Sequence, residues 1–347
     1  MDSSGPTSGH APLAKNMSNV TGCDLDFDSD QTFLKVLYGC VFCVGLPTNC
    51  LALYGLYRLV KANYTLPVYI INLLLADLLH IAFLPLWIDY YHSGHIWRFG
   101  TVVCAVASCV FGITMFCSIV FMCCIMSERY LAIVHPLWFQ SHRRLRNTCL
   151  LAAAVWVVSV LAIGWGYVLG YEKVEDGRCL EQYPRNSGFV VFVLVLLPLV
   201  FVPPPLFFLF VLVRVWRSLG KAIFMSAAEK RRTVGLLLAV VMIFAFLFGP
   251  YQIVVFTLYA GAALATDKCD FEAKMFITYK VTFGLLSLNT AADPILYIFL
   301  RGDVRETLLN FPCCRGLMSR MSRRSTPRVH REGGGTIPTL PQPVSQE

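Results

Sequence analysis

The sequence predicts an all-α membrane protein, a seven-transmembrane helix bundle followed by a short interfacial helix. Composition comes first: of 347 residues, 56% are hydrophobic and 14% charged, with a mean hydropathy of +0.62. A soluble core cannot bury that much apolar surface, so lipid must solvate much of it. Seven apolar stretches then reach the roughly 20 residues that a helix needs to cross about 30 Å of hydrocarbon. Finally, basic residues gather in alternate connections, as cytoplasmic loops require.

The spans run over Thr32–Arg58, Leu66–Tyr91, Val102–Val134, Thr148–Tyr171, Ser187–Val215, Thr233–Ala260 and Phe271–Leu300. An odd number puts the termini on opposite sides. Arg58 and Lys61 follow the first span, Arg143, Arg144 and Arg146 the third, Arg214, Arg217, Lys221, Lys230, Arg231 and Arg232 the fifth, and Arg301, Arg305 and Arg315 the seventh. These loops stay inside, so the N-terminus lies outside a plasma membrane. The formal charge of +8 sits in these short clusters and forms no groove-sized patch, which argues against nucleic acid.

Residues 1–31 lack the apolar core of a cleavable signal peptide and read as a flexible extracellular tail ending in Asp24, Asp26, Asp28 and Asp30. Asn16-Met17-Ser18 and Asn19-Val20-Thr21 are glycosylation acceptors in such a tail. Residues 32–300 form the bundle. Within 301–314, Val304, Leu308 and Phe311 share one face of an interfacial helix that Pro312 ends. Cys313 and Cys314 beside it are palmitoylation candidates or plain thiols. Residues 315–347, rich in Arg, Ser, Pro and Gly, read as a disordered cytoplasmic tail.

Most of the fourteen cysteines lie within apolar spans, where a small buried hydrophobe is the default. Cys40 and Cys43 lack the context of a redox motif or a zinc site. Cys23, Cys104, Cys179 and Cys269 fall in outer regions, an oxidising compartment. Two disulfides are expected, Cys104–Cys179 and Cys23–Cys269.

A carboxylate at membrane depth costs about 2.5–3.5 kcal/mol on insertion scales, so each must face the bundle with a role. Asn49, Asp77, Asn289 and Asp293 are the oxygen-bearing candidates. They suit either a sodium ion, a hard cation that takes oxygen ligands, or a hydrogen-bonded structural knot. At the inner end of the third span stand Glu128, Arg129 and Tyr130, by themselves compatible with a solvated helix end.

From Thr32 to Cys314 the chain resembles rhodopsin-like (class A) G-protein-coupled receptors. The resemblance is carried in order by Asn49, Leu75-Ala76-Asp77, Cys104, Glu128-Arg129-Tyr130, Trp156, Pro198, Phe248-Gly249-Pro250-Tyr251 and Asp293-Pro294-Ile295-Leu296-Tyr297. Val44 to Leu51, Leu84 to Tyr91, Cys123-Cys124-Ile125 and Cys269 to Glu272 are similar to the proton-sensing and lysophospholipid-responsive branch, near the purinergic nucleotide receptors. No H-E-x-x-H or G-x-S-x-G motif of an intramembrane enzyme is present, so no enzyme activity is expected, and no cofactor is expected other than the sodium ion that is one of the two readings of Asp77 and its neighbours. The resemblance implies heterotrimeric G protein, arrestin and a receptor kinase as partners. Ligand binding is expected to repack the third, sixth and seventh spans about Phe248 and Pro250 and to swing the inner end of the sixth span outward. Glu128 would neutralise Arg129 at rest, while Asp293, Pro294 and Tyr297 would serve activation in the seventh span.

The chain departs from that branch in places. Ser159 stands where proton-sensing members carry an acidic residue in the fourth span, and Lys280 where they carry a histidine. Gln252 and Val255 replace residues typical of nucleotide receptors, Leu206 an inner tyrosine, and Pro203-Pro204-Pro205 should distort the fifth span.

Phe111, Met115, Tyr251, Gln252 and Phe283 outline an apolar pocket with Lys280 at its mouth. Lys280 either anchors a phosphate or carboxylate head group or snorkels to water. The favoured ligand is an anionic amphiphile such as a lysophospholipid. The alternative is protons sensed by His92 and His95, whose added charge would repel Arg98 or Lys280 and open the outer bundle. Lone His80 reads as an interhelical hydrogen-bonder. A transporter, the rival from another class, would show internal repeats, and none is visible.

Overall fold

The computed structural model describes residues 23, 25–60, 66–170, 177–179, 181, 183, 185, 187–219 and 227–300, apart from the side chains of 55, 57–60, 66, 169–170, 228–229, 232 and 295–300. Asn16, Asn19, Cys313, Cys314, the interfacial helix of 301–314 and the Tyr297 side chain therefore lie outside the described residues.

The helices, in chain order, are α1 (Asp28–Val60), α2 (Leu66–His92), α3 (Gly100–Val134), α4 (Pro136–His142), α5 (Leu145–Gly170), α6 (Ser187–Phe201), α7 (Pro203–Leu219), α8 (Ala227–Ile243), a π-helical turn (Phe244–Phe248), α9 (Gly249–Leu264), α10 (Lys268–Leu286) and α11 (Leu288–Leu300). Six crossings among the described residues are long and apolar enough to span a membrane: α1, α2, α3, α5, α6 with α7, and α8 through α9. The seventh, α10 with α11, bears Lys268, Asp270, Glu272, Lys274 and Lys280 in its first part. The fold is an all-α seven-transmembrane bundle.

Several helices outrun the expected apolar spans, because hydropathy marks only the part that lies in hydrocarbon. The first begins at Asp28, ahead of the apolar span that opens at Thr32. Asp26 caps it, accepting from the Asp28 amide at 3.1 Å and the Ser29 amide at 3.3 Å. Asp28 and Asp30 in the first turn complement the helix dipole. The acidic end of the expected flexible tail is thus helix, and it places Asp30 in the packed bundle, 1% exposed.

Three crossings are broken. The fifth parts at Val202, so that Pro203 to Pro205 occupy the first turn of α7. Amides there lack intrahelical acceptors in any case, so their removal costs little. The sixth contains the π turn, where the Gly249 amide donates to the Phe244 carbonyl ahead of Pro250. The seventh breaks at Ser287.

Packing follows residue size and polarity. A Cβ at Gly284 on α10 would collide with Leu34 of α1, so the glycine permits that close approach. Trp156 on α5 donates to Asn72 on α2 at 2.9 Å. Buried Ser159 accepts from Cys117 at 3.2 Å, joining α5 to α3. The main core runs from Phe111 and Met126 through Phe208, Phe244 and Phe248 to Tyr251 and Tyr259. Disulfides join Cys104 to Cys179 and Cys23 to Cys269 at one end of the bundle, here the disulfide end.

Candidate functional site

Between α2 and α3 the chain turns through Gly94 (φ 70°) and His95 (φ 63°). His95 is the sole non-glycine with positive φ among the described residues. Left-handed backbone costs an L-residue roughly 1–2 kcal/mol, so the surroundings must hold it there. They do so through both ring nitrogens. Nδ1 lies 2.7 Å from Glu181 Oε2 and Nε2 lies 3.0 Å from Asp30 Oδ1.

Glu181 comes from the loop joining α5 to α6 and also accepts from the Tyr90 hydroxyl at 2.7 Å. Its other oxygen pairs with the Lys280 ammonium of α10. The side chains of Asp30, His95, Glu181 and Lys280 are all at most 7% exposed. The rings of Phe27, Tyr90 and Tyr91 stand edge-on to His95 at 5.0 to 5.2 Å, and Lys280 lies over Tyr91 and Phe276.

Charge decides the protonation state. Two carboxylates and one ammonium leave the cluster one negative charge in excess, which an imidazolium cancels. A neutral imidazole donates from one nitrogen, whereas an imidazolium donates from both, to the two acceptors present. Burial opposes the charge on His95, but the hydrogen bonds to Asp30 and Glu181 outweigh it and lift its pKa above the usual 6.5. Burial likewise pushes Glu181 up, yet Lys280 and His95 bring it down to about 2.

A second cluster lies nearby. Arg185, just ahead of α6, pairs with Glu272 of α10 at 3.4 Å, and its main-chain amide donates to the same carboxylate at 3.3 Å. Its guanidinium carbon lies 4.8, 5.3 and 5.1 Å from the ring centres of Tyr183, Tyr259 and Tyr279.

Deeper in the bundle a cavity is lined by Asp77, His80, Phe111, Thr114, Met115, Ser118, Phe248, Leu286, Asn289 and Thr290. Its volume of about 20 Å³ admits one or two waters, each needing roughly 10–15 Å³. Both Asp77 carboxylate oxygens, and one oxygen each of Asn49, Asn289 and Asp293, are buried without a hydrogen-bond partner. Asn289 donates to Asp293 at 3.0 Å, and His80 meets Ser287 at 3.1 Å. These orphaned oxygens fit a hard cation or ordered water.

At the opposite end Glu128 is buried and Arg129 and Tyr130 are half-buried. The Tyr130 ring packs 5.7 Å from Phe210 of α7.

Residues 48–297 match the family model described as 7 transmembrane receptor (rhodopsin family). The chain belongs to that family. The receptor is 32% identical to G-protein coupled receptor 68 of Bos taurus over 309 residues, 84% of this chain and 82% of the relative. It is 31% identical to the probable G-protein coupled receptor 132 of Mus musculus over 283 residues, 80% and 72% of the two chains. To a purinoceptor of Rattus norvegicus it is 30% identical over 285 residues, 78% and 74%. It is accordingly a multi-pass plasma-membrane receptor that signals through G proteins, and not an enzyme.

Of the expected pocket residues, Phe111 stacks on Phe283 at 4.2 Å, Tyr251 lies 6.0 Å from Phe283, and Met115 lines the cavity. Gln252 is half-buried with its Nε2 lacking a partner. Two expectations change. Lys280 is not a free cation at the pocket mouth, because Glu181 holds it inside the bundle. His92 is exposed at the end of α2 while His95 is buried, so the two histidines do not form one sensor. Nor is repulsion what charge on His95 chiefly meets: Lys280 opposes that charge, but carboxylates flank both ring nitrogens and outweigh it. Neither Asp30 nor Arg185 stands out in the sequence as a site residue. Both sit among ordinary loop charges, and only the fold shows their burial.

Proposed function

We propose that the receptor responds to extracellular acidification, with His95 as the titrating group. The observation that carries this reading is the imidazole held between Asp30 and Glu181 in strained left-handed backbone. As pH falls through the raised pKa of His95, its charge completes the cluster and draws together α1, α10 and both loops of the disulfide end. That end faces outside under this reading. An anionic amphiphile is disfavoured because Lys280, its expected anchor, is already neutralised. Protons shift the equilibrium only by their differential affinity for the two states. Activation then swings α8 outward about the π turn and Pro250, and Arg129 engages Gα, with arrestin and a receptor kinase as later partners. A sodium ion at Asp77, Asn49, Asn289 and Asp293 would supply the charge that their orphaned oxygens lack.

The test is agonist-free nucleotide exchange on co-expressed G protein between pH 6 and 8.5. Exchange should rise on acidification with a midpoint above about 6.5, and His95→Phe should abolish the rise. Lys280→Ala should move the midpoint to higher pH, because the lysine opposes charge on His95. A flat profile, with exchange stimulated by a lysophospholipid in wild type but not in Lys280→Ala, would refute the reading and restore the amphiphile.

A further inference from the structure

Arg185 takes no part in the proton cluster, yet it is nine-tenths buried and touches three separate parts of the disulfide end. Tyr183 belongs to its own loop segment, Tyr259 to α9, and Tyr279 and Glu272 to α10. A guanidinium is charged at every physiological pH, and its plane stacks on aromatic rings as an ammonium cannot. Glu272 fixes it from both sides, taking the main-chain amide as well as the side chain.

The place of this contact along the sixth crossing matters. Tyr259 lies near the disulfide end of α9, and the π turn with Pro250 lies below it. Such a turn, followed by a proline without an amide, is a weak point at which helices bend. A rod that pivots there moves its two ends in opposite directions. Holding Tyr259 inward against the α6 entry and α10 therefore pushes the far end of α8 outward.

We propose that Arg185 is a positioning residue for activation, a pH-independent tie that clamps the disulfide ends of the fifth, sixth and seventh crossings and so favours the outward position of α8. The inference rests on the outward swing of α8, and not on protons being the stimulus. The tie sets how much exchange the receptor can drive, whereas His95 sets the pH at which it does so.

The test uses the full-length receptor at matched surface density, with agonist-free G-protein exchange measured from pH 6 to 8.5. Arg185→Met and Tyr259→Leu should each lower exchange about tenfold across the whole range, with the pH midpoint where wild type has it. The double variant should fall no further than either single one, because both cut the same tie. Should Arg185→Met fail to reach the surface, Tyr259→Leu decides alone, since leucine keeps the apolar packing. Unchanged or increased exchange, an additive double variant, or a midpoint displaced by more than about half a pH unit would overturn the proposal. His95→Phe removes the rise on acidification whether or not the Arg185 tie acts, which keeps failure of this inference distinct from failure of the proton reading.

Discussion

Glu181 answers to Tyr90, His95 and Lys280 at once, which makes it the most consequential single side chain at the disulfide end. Removing one partner of a buried ion pair leaves the other charge uncompensated, at a cost of about 3–5 kcal/mol. Glu181→Gln should therefore lower the thermal midpoint of the purified receptor across pH 6–8.5. Its depressed pKa of about 2 means that its contribution is complete above the ordinary carboxylate value and lost only as pH falls through about 2. His95 has the opposite sign. With its folded pKa raised, its stabilisation is complete below about 6.5 and disappears as pH rises through the raised value. The deficit of His95→Phe should thus be largest at pH 6 and shrink toward pH 8.5. A deficit that grows with pH would contradict the charged state assigned here.

The elements show where local chemistry decides and where packing does. Three consecutive prolines at 203–205 promise a distorted helix, at about 3 kcal/mol for each interior position. The chain avoids that penalty by ending α6 at Phe201 and restarting α7 on the prolines. The Val202 amide still donates to Pro198 at 3.1 Å. Pro203→Ala is consequently expected to change unfolding stability by less than about 1 kcal/mol. A gain near 3 kcal/mol in detergent unfolding would mean that the proline sits in a helix interior. The π turn at Phe244–Phe248 has no comparable sequence signature. Phe-Gly-Pro marks a place of weakness, and within the turn Phe244 and Phe248 stack with their ring centres 5.2 Å apart.

Across the whole molecule the disulfide end is bound by covalent and ionic ties of long sequence separation. Cys23–Cys269 brings residues 246 positions apart together and anchors the segment that carries Phe27 and Asp30 to His95. Cys23→Ser with Cys269→Ser should free that segment and remove one of the two carboxylates that raise His95. The activation midpoint should then shift to lower pH at retained surface expression. An unshifted midpoint would show that Asp30 is held without the bond. Lipid-length apolar runs, alternating basic loops, the motifs of the family and the outer placement of four cysteines are all properties of short segments, and they make the class and topology readable from the chain alone. The charge cluster is different in kind. Asp30, His95, Glu181 and Lys280 come from four separate segments, and each is an ordinary polar residue in its own stretch. Whether such a residue is solvated or buried against an opposite charge depends on which segments meet, and burial is what makes its charge costly enough to matter. Sequence alone therefore assigned the receptor class and its expected orientation, while only the tertiary structure turned Lys280 from a ligand anchor into a paired ion and His95 from a loop histidine into the group on which the proposed stimulus acts.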